Sequence, residues 1–137
     1  MKAASGLDII PPTECLHLLA GQRVGRLGFV VDDQPLILPV NYAMAADIVL
    51  YRSGAGTKLE AATGAKVAFE VDQVDVEAGT GWSVVVQGVA QEITDDVDVF
   101  AEAQREAAAP TWIPEPADHY VRIVPSVISG RRITGAP

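Results

Sequence analysis

From residue 23 to residue 93 the chain is a series of short runs with a period of two, and crossover helices are missing after nearly all of them. RVGRLGFVV (23–31) sets Leu27, Phe29 and Val31 on one side. LILPVNYAM (36–44) alternates Leu36, Leu38, Val40, Tyr42 and Met44 with Ile37, Pro39, Asn41 and Ala43. IVLYRS (48–53), AKVAFEVDQV (65–74) with Val67, Phe69 and Val71 inward, WSVVVQGVAQEI (82–93) and HYVRIVPSVI (119–128) are strands of the same kind. A parallel sheet needs a long crossover between neighbouring strands. The expectation is therefore a mainly β fold with α additions: a six-stranded antiparallel barrel with three short helices outside it.

Local signals fix the expected boundaries. Thr13 reads as an N-cap, with Cys15, Leu16 and Leu19 on one helical face and Gly21 ending the helix. Asp32–Pro35 and residues 45–47 read as turns, Pro39 as a position unpaired or bulged on one side, and Gly88 as a bulge. GAGTKLEAATG (54–64) is a glycine loop and a short helix. Asp95, Asp96 and Asp98 open a helix through about Ala108, with Val99, Phe100, Ala103 and Ala107 as its apolar stripe. No repeat or linker divides the chain, so residues 1–137 are expected as one domain, with 1–10 a loose lead-in and 130–137 a tail.

Composition removes several functions. Ten Lys+Arg against 18 Asp+Glu leave a net charge of −8, the wrong sign for nucleic-acid binding. With 49% hydrophobic and 20% charged residues the chain can bury a core. No apolar run approaches the roughly 20 residues that span a bilayer, and the N-terminus lacks a signal-peptide pattern. The expectation is a soluble, cytoplasmic protein. Cys15 is the single cysteine, which excludes an internal disulfide and a multi-cysteine metal site.

The best local candidate for chemistry is LYRSGAGTKL (50–59). Arg52 and Ser53 end a strand, glycines allow close approach, and Thr57 and Lys58 begin a helix; together they suit a phosphate-sized anion. The order and spacing are not those of a Walker A loop. A plain strand-to-helix connection with solvated cations fits these residues equally well. Asn41 is out of place in a β-pattern, which hints at a hydrogen-bonding task, although satisfying neighbouring backbone would explain it too. Trp82 could stack on a planar ligand or sit at the barrel rim, and Trp112, between prolines, could line a pocket or a subunit contact. Arg131 and Arg132 are tail charges or reach an anion. His17, His119 and a buried Cys15 carry little signal, and Asp72, Asp75 and Glu77 read as a solvated loop face. No catalytic triad or zinc pattern is evident, so redox chemistry would need a borrowed cofactor.

In order, VGRLGFV, LPVNYAM, VLYRSGAGTKL, VAFEVD, GWSVVVQGVAQEI and YVRIVPSVISGRR resemble the pyridoxamine 5′-phosphate oxidase-like flavoproteins, closest to the short branch with nitroimidazole-resistance-type reductases. The resemblance spans roughly residues 10–133. It implies a dimeric split β-barrel holding FMN between subunits and passing a hydride to a small-molecule acceptor. It places Val40 and Asn41 beside the flavin ring and assigns Arg52, Ser53, Thr57 and Lys58 to the phosphate. Trp82 and Ser83 contribute from another strand, and Trp112 and Arg131 from the partner subunit. The histidine that nitroimidazole-resistance members carry near Tyr51–Ser53 is absent, as is the C-terminal substrate motif of true pyridoxamine-phosphate oxidases. The alternatives are a deazaflavin coenzyme, haem or biliverdin in place of FMN, or a non-catalytic barrel that sequesters its cofactor.

Overall fold

The computed structural model describes residues 7–94, 99–112 and 116–135. In chain order the elements are β1 (Leu7–Ile10), α1 (Pro12–Ala20), β2 (Val24–Val31), β3 (Gln34–Ala45), β4 (Ile48–Ser53), α2 (Thr57–Ala62), β5 (Lys66–Asp75), β6 (Thr80–Glu92), α3 (Ala101–Ala107) and β7 (His119–Ile133). The sheet order is β1-β7-β4-β3-β2-β5-β6, and β6 also pairs with β7. Six antiparallel strands thus close on themselves, as the alternating runs demand.

The inward residues of those runs make the core. Leu27, Tyr42, Val49, Tyr51, Phe69, Val71, Val84, Val86, Val121 and Ile123 are buried together, with Cys15 and Leu19 of α1 plugging one side. The rings of Tyr42 and Phe69 meet edge to face with centroids 4.9 Å apart, and the Tyr42 hydroxyl donates to the Leu19 carbonyl. Two-residue turns at Asp32-Asp33 and Ala46-Asp47 join β2 to β3 and β3 to β4; both aspartates of the first turn and Ala46 take positive φ. The register of β6 against β7 shifts between Gln87 and Gly88. A Cβ on Gly88 would come within 2.1 Å of the Val124 carbonyl oxygen, so only glycine fits the bulge. Pro39 pairs with Arg26 of β2, while pairing with β4 begins only at Tyr42, so its other edge is free. No helix among the described residues is long and apolar enough to cross a membrane.

Several boundaries differ from expectation. Residues 7–10 are no loose lead-in: they form β1, pairing Leu7 with Ile133 and Ile10 with Gly130. For the same reason residues 130–133 belong to β7 and not to a tail. Pro11 rather than Thr13 caps α1, because Pro12 already has the fixed φ of a first helical residue. Asp72 lies within β5 and not in a loop. The acidic opening expected for α3 lies at 95–98, outside the described residues. Its stripe is turned over: Val99, Phe100, Ala103 and Ala107 are exposed, and Ala101 and Gln104 are buried. The cause is Arg122 on β7, itself buried, whose Nη1 donates to Gln104 Oε1 at 2.8 Å while Nε and Nη2 reach Gln91. Satisfying a buried guanidinium outweighs exposing Val99, Phe100 and two alanines.

Candidate functional site

Alternation along β4 turns Val49, Tyr51 and Ser53 into the barrel and Leu50 and Arg52 out of it. Where β4 ends, Arg52, Ser53, Gly54, Ala55 and Lys58 surround a notch of about 190 Å³, closed on the far side by Thr111, Pro116 and Ala117. Arg52 Nε donates to the Ala117 carbonyl at 3.1 Å, and its guanidinium lies 5.1 Å from the Tyr120 ring centroid. The half-buried Lys58 ammonium sits 5.6 Å from the Tyr51 ring centroid. Burial pulls the Lys58 pKa below its usual value. Ser53 is buried and donates to the Gly54 carbonyl at 2.9 Å. Among the described residues neither Arg52 nor Lys58 has a carboxylate partner. A desolvated cation without a counter-ion is costly, and an anionic ligand would offset that cost. Gly56, at φ +135°, takes a backbone conformation that side chains rarely allow. Thr57 is exposed and does not line the notch.

Beside the notch, a hollow of about 400 Å³ is lined by Arg23, Asn41, Met44, Pro110 and Trp112, among others. The Trp112 backbone N–H donates to Asn41 Oδ1 at 2.8 Å, so the amide that was out of place in β3 pins the segment after α3. Thr111 faces the notch and Trp112 the hollow, which joins the two places. The Val40 side chain packs in the core, leaving its main chain as the part that could meet a ligand.

Trp82, Ser83 and Arg131 lie elsewhere. They line a cleft of about 590 Å³ along β5, β6 and β7. From Tyr120, beside Arg52, to Arg131 the strand runs about eleven residues, roughly 36 Å if straight. Register builds the cleft floor: Asp72 pairs with Ser83, which pairs with Arg131, and the next row is Arg26, Glu70, Val85 and Ser129. Arg26 Nη1 is 3.4 Å from Asp72 Oδ2 and 3.6 Å from Glu70 Oε1. Burial, with Asp72 beside it, pushes Glu70 up to about 7 despite Arg26. Glu70 did not stand out in the sequence, because a glutamate on the outer face of an alternating strand reads as solvated. Arg132 leaves the cleft to pair with Glu14 at 2.9 Å. His119 Nδ1 lies 3.0 Å from Glu92 Oε2, a pairing that residue spacing did not suggest.

So one chain brings Asn41, Arg52, Ser53, Lys58 and Trp112 together and sets Trp82, Ser83 and Arg131 apart. This arrangement has close relatives. The family model for pyridoxamine 5′-phosphate oxidase matches residues 11–132. The chain belongs to the pyridoxamine 5′-phosphate oxidase-like family. The closed ring of strands is that family's split barrel. One member, uncharacterized protein Rv0080 of Mycobacterium tuberculosis, is 34% identical over 126 residues, 88% of this chain and 81% of that one. The FAD binding protein from Mycobacterium smegmatis is 43% identical, with a TM-score of 0.73 over 91% of this chain and 97% of its own. An FAD-binding protein from Mesorhizobium loti is 28% identical, with a TM-score of 0.74 over 92% of this chain and 96% of its own.

Proposed function

We propose that this chain binds a flavin by its phosphate at the β4 notch and acts as a flavin-dependent oxidoreductase on a small-molecule acceptor. The observation that carries this is the pair Arg52 and Lys58: in a chain of net charge −8 they share one notch with no carboxylate against them among the described residues. Arg52 and Lys58 would hold phosphate oxygens by charge-assisted bonds, with Ser53 and Thr57 as hydroxyl partners. Asn41 and the Val40 main chain would orient the ring, and Trp112 would exclude water from its edge. A bound flavin would supply two-electron chemistry that no described side chain lining the notch or the hollow offers. The resemblance points to FMN. The relatives described as FAD-binding favour FAD, whose diphosphate would engage both cations.

A homodimer completes this reading. Trp82, Ser83 and Arg131 would close the site from a second copy, since within one chain they line a different cavity. An apolar face is available for pairing: Val30, Leu36, Ile37, Val89 and Val127 are exposed, Ile37 by 70%, around a hollow of about 660 Å³.

The test is an absorption spectrum of the purified protein with mass spectrometry of the molecule released on denaturation. FMN or FAD is expected. A deazaflavin or haem, or a protein that refuses added FMN and FAD, would sink the flavin reading. Sequestration without turnover is the second reading, favoured because no carboxylate, histidine or cysteine lines the notch or the Asn41 hollow among the described residues. Steady NAD(P)H-dependent reduction of a quinone or nitro acceptor would reject it.

A further inference from the structure

The β5–β7 cleft holds a feature that phosphate binding does not use. Glu70 Oε1 is shut off from water yet accepts no hydrogen bond. Its nearest cation, Arg26 on β2, stands off at 3.6 Å and bonds Asp72 instead. A buried oxygen that makes no hydrogen bond calls for an explanation. The charged groups around Glu70 are Arg26 from β2, Asp72 and Asp75 from its own strand, and Arg131 from β7; β6 offers Ser83, Val85 and the ring of Trp82. Three carboxyls face two guanidiniums, so one proton relieves the excess negative charge.

We propose that Glu70 is the specificity-determining residue of this cleft and pairs with the donor–acceptor imide edge of a planar heterocycle lying against Trp82. This rests on the flavin reading, because a flavin ring carries such an edge. A neutral carboxylic acid donates its O–H to a ring carbonyl while its own carbonyl accepts from the adjacent ring N–H. A carboxylate offers only acceptors and would oppose the ring carbonyls. Covering the cleft also removes more water, which favours the neutral form further. With Glu70 titrating at about 7, ligand affinity is constant in mild acid and falls as pH rises beyond neutrality.

The probe is riboflavin, which lacks the phosphate that titrates near pH 6 in FMN and does not need the notch. Fluorescence titration of the full chain between about pH 5.5 and 8.5 is expected to give a flat Kd at the acid end and a loss approaching tenfold per pH unit at the alkaline end. Glu70→Gln, which keeps a donor and an acceptor, should bind as the unaltered protein does in acid and lose the pH dependence. Asp72→Asn should shift the break to lower pH, since Asp72 is one cause of the raised Glu70 pKa. A flat profile in the unaltered protein, or an unchanged slope in Glu70→Gln, would overturn the assignment while leaving phosphate binding intact. If neither FMN nor riboflavin binds, the flavin reading and this one fall together.

Discussion

The notch at the end of β4 and the cleft across β5–β7 treat charge in opposite ways. In the notch, Arg52 and Lys58 converge with no acid opposed to them among the described residues, on side chains drawn from one short stretch of chain and capped by the segment after α3. In the cleft, Glu70 and Asp72 face Arg26 and Arg131 across walls of Val74, Val76 and Ile133. Uncompensated cations on an acidic protein mark a place for an anion. Carboxyls and guanidiniums set against one another mark a place for a neutral, hydrogen-bonding ring. On the flavin reading proposed above, the two regions would suit the two ends of one molecule, phosphate and ring, presented by two copies of the chain.

Breaking the frame beneath both regions has the largest expected effect. Phe69 is fully buried against Tyr42 on the strand that carries Glu70. Phe69→Ala should cost about 3–5 kcal/mol in urea denaturation and weaken both regions together. Next, Lys58→Ala separates them. It should weaken FMN by roughly ten- to a hundredfold, the worth of one charge-assisted bond of about 1.5–3 kcal/mol. Because the ammonium is desolvated and no described residue supplies a counter-ion, the ligand-free protein should melt no lower than before. A smaller effect belongs to Trp82→Ala: about a tenfold loss of affinity by fluorescence titration, equal for FMN and riboflavin because the contact is with the ring. Unequal losses would place Trp82 with the phosphate.

The smallest effect is on stability against pH. The folded Glu70 pKa of about 7 lies above the ordinary carboxyl value of 4.5, so between them the folded chain binds more protons than the unfolded one. Glu70 therefore contributes a stability that is full in acid and lost as pH rises through neutrality. The thermal midpoint should decline from about pH 5 to pH 8 more in the unaltered protein than in Glu70→Gln.

How far the sequence foretold each region follows from how each is built. Arg52, Ser53 and Lys58 stand within one loop, so their convergence was local and visible. The inward faces of β2 and β5 and the Gly88 bulge were visible too, because alternation and a lone glycine are local signals. The cleft depends on three strands meeting in register, and no spacing along the chain shows that Asp72, Ser83 and Arg131 share a row. β1 was missed for the same reason, its partner lying at the far end of the chain. The inverted face of α3 follows from a buried arginine on another element, which helical periodicity does not register.

The phosphate itself is the most direct test of the β4 notch. Isothermal titration of the unaltered protein and of the double variant Arg52→Ala, Lys58→Ala, each with FMN and with riboflavin, isolates its contribution. The unaltered protein should prefer FMN over riboflavin by about a hundredfold or more, and the double variant should lose that preference while still binding riboflavin. Equal affinity for the two flavins in the unaltered protein, or a preference that survives the double substitution, would contradict the assignment of residues 52–58 to the phosphate.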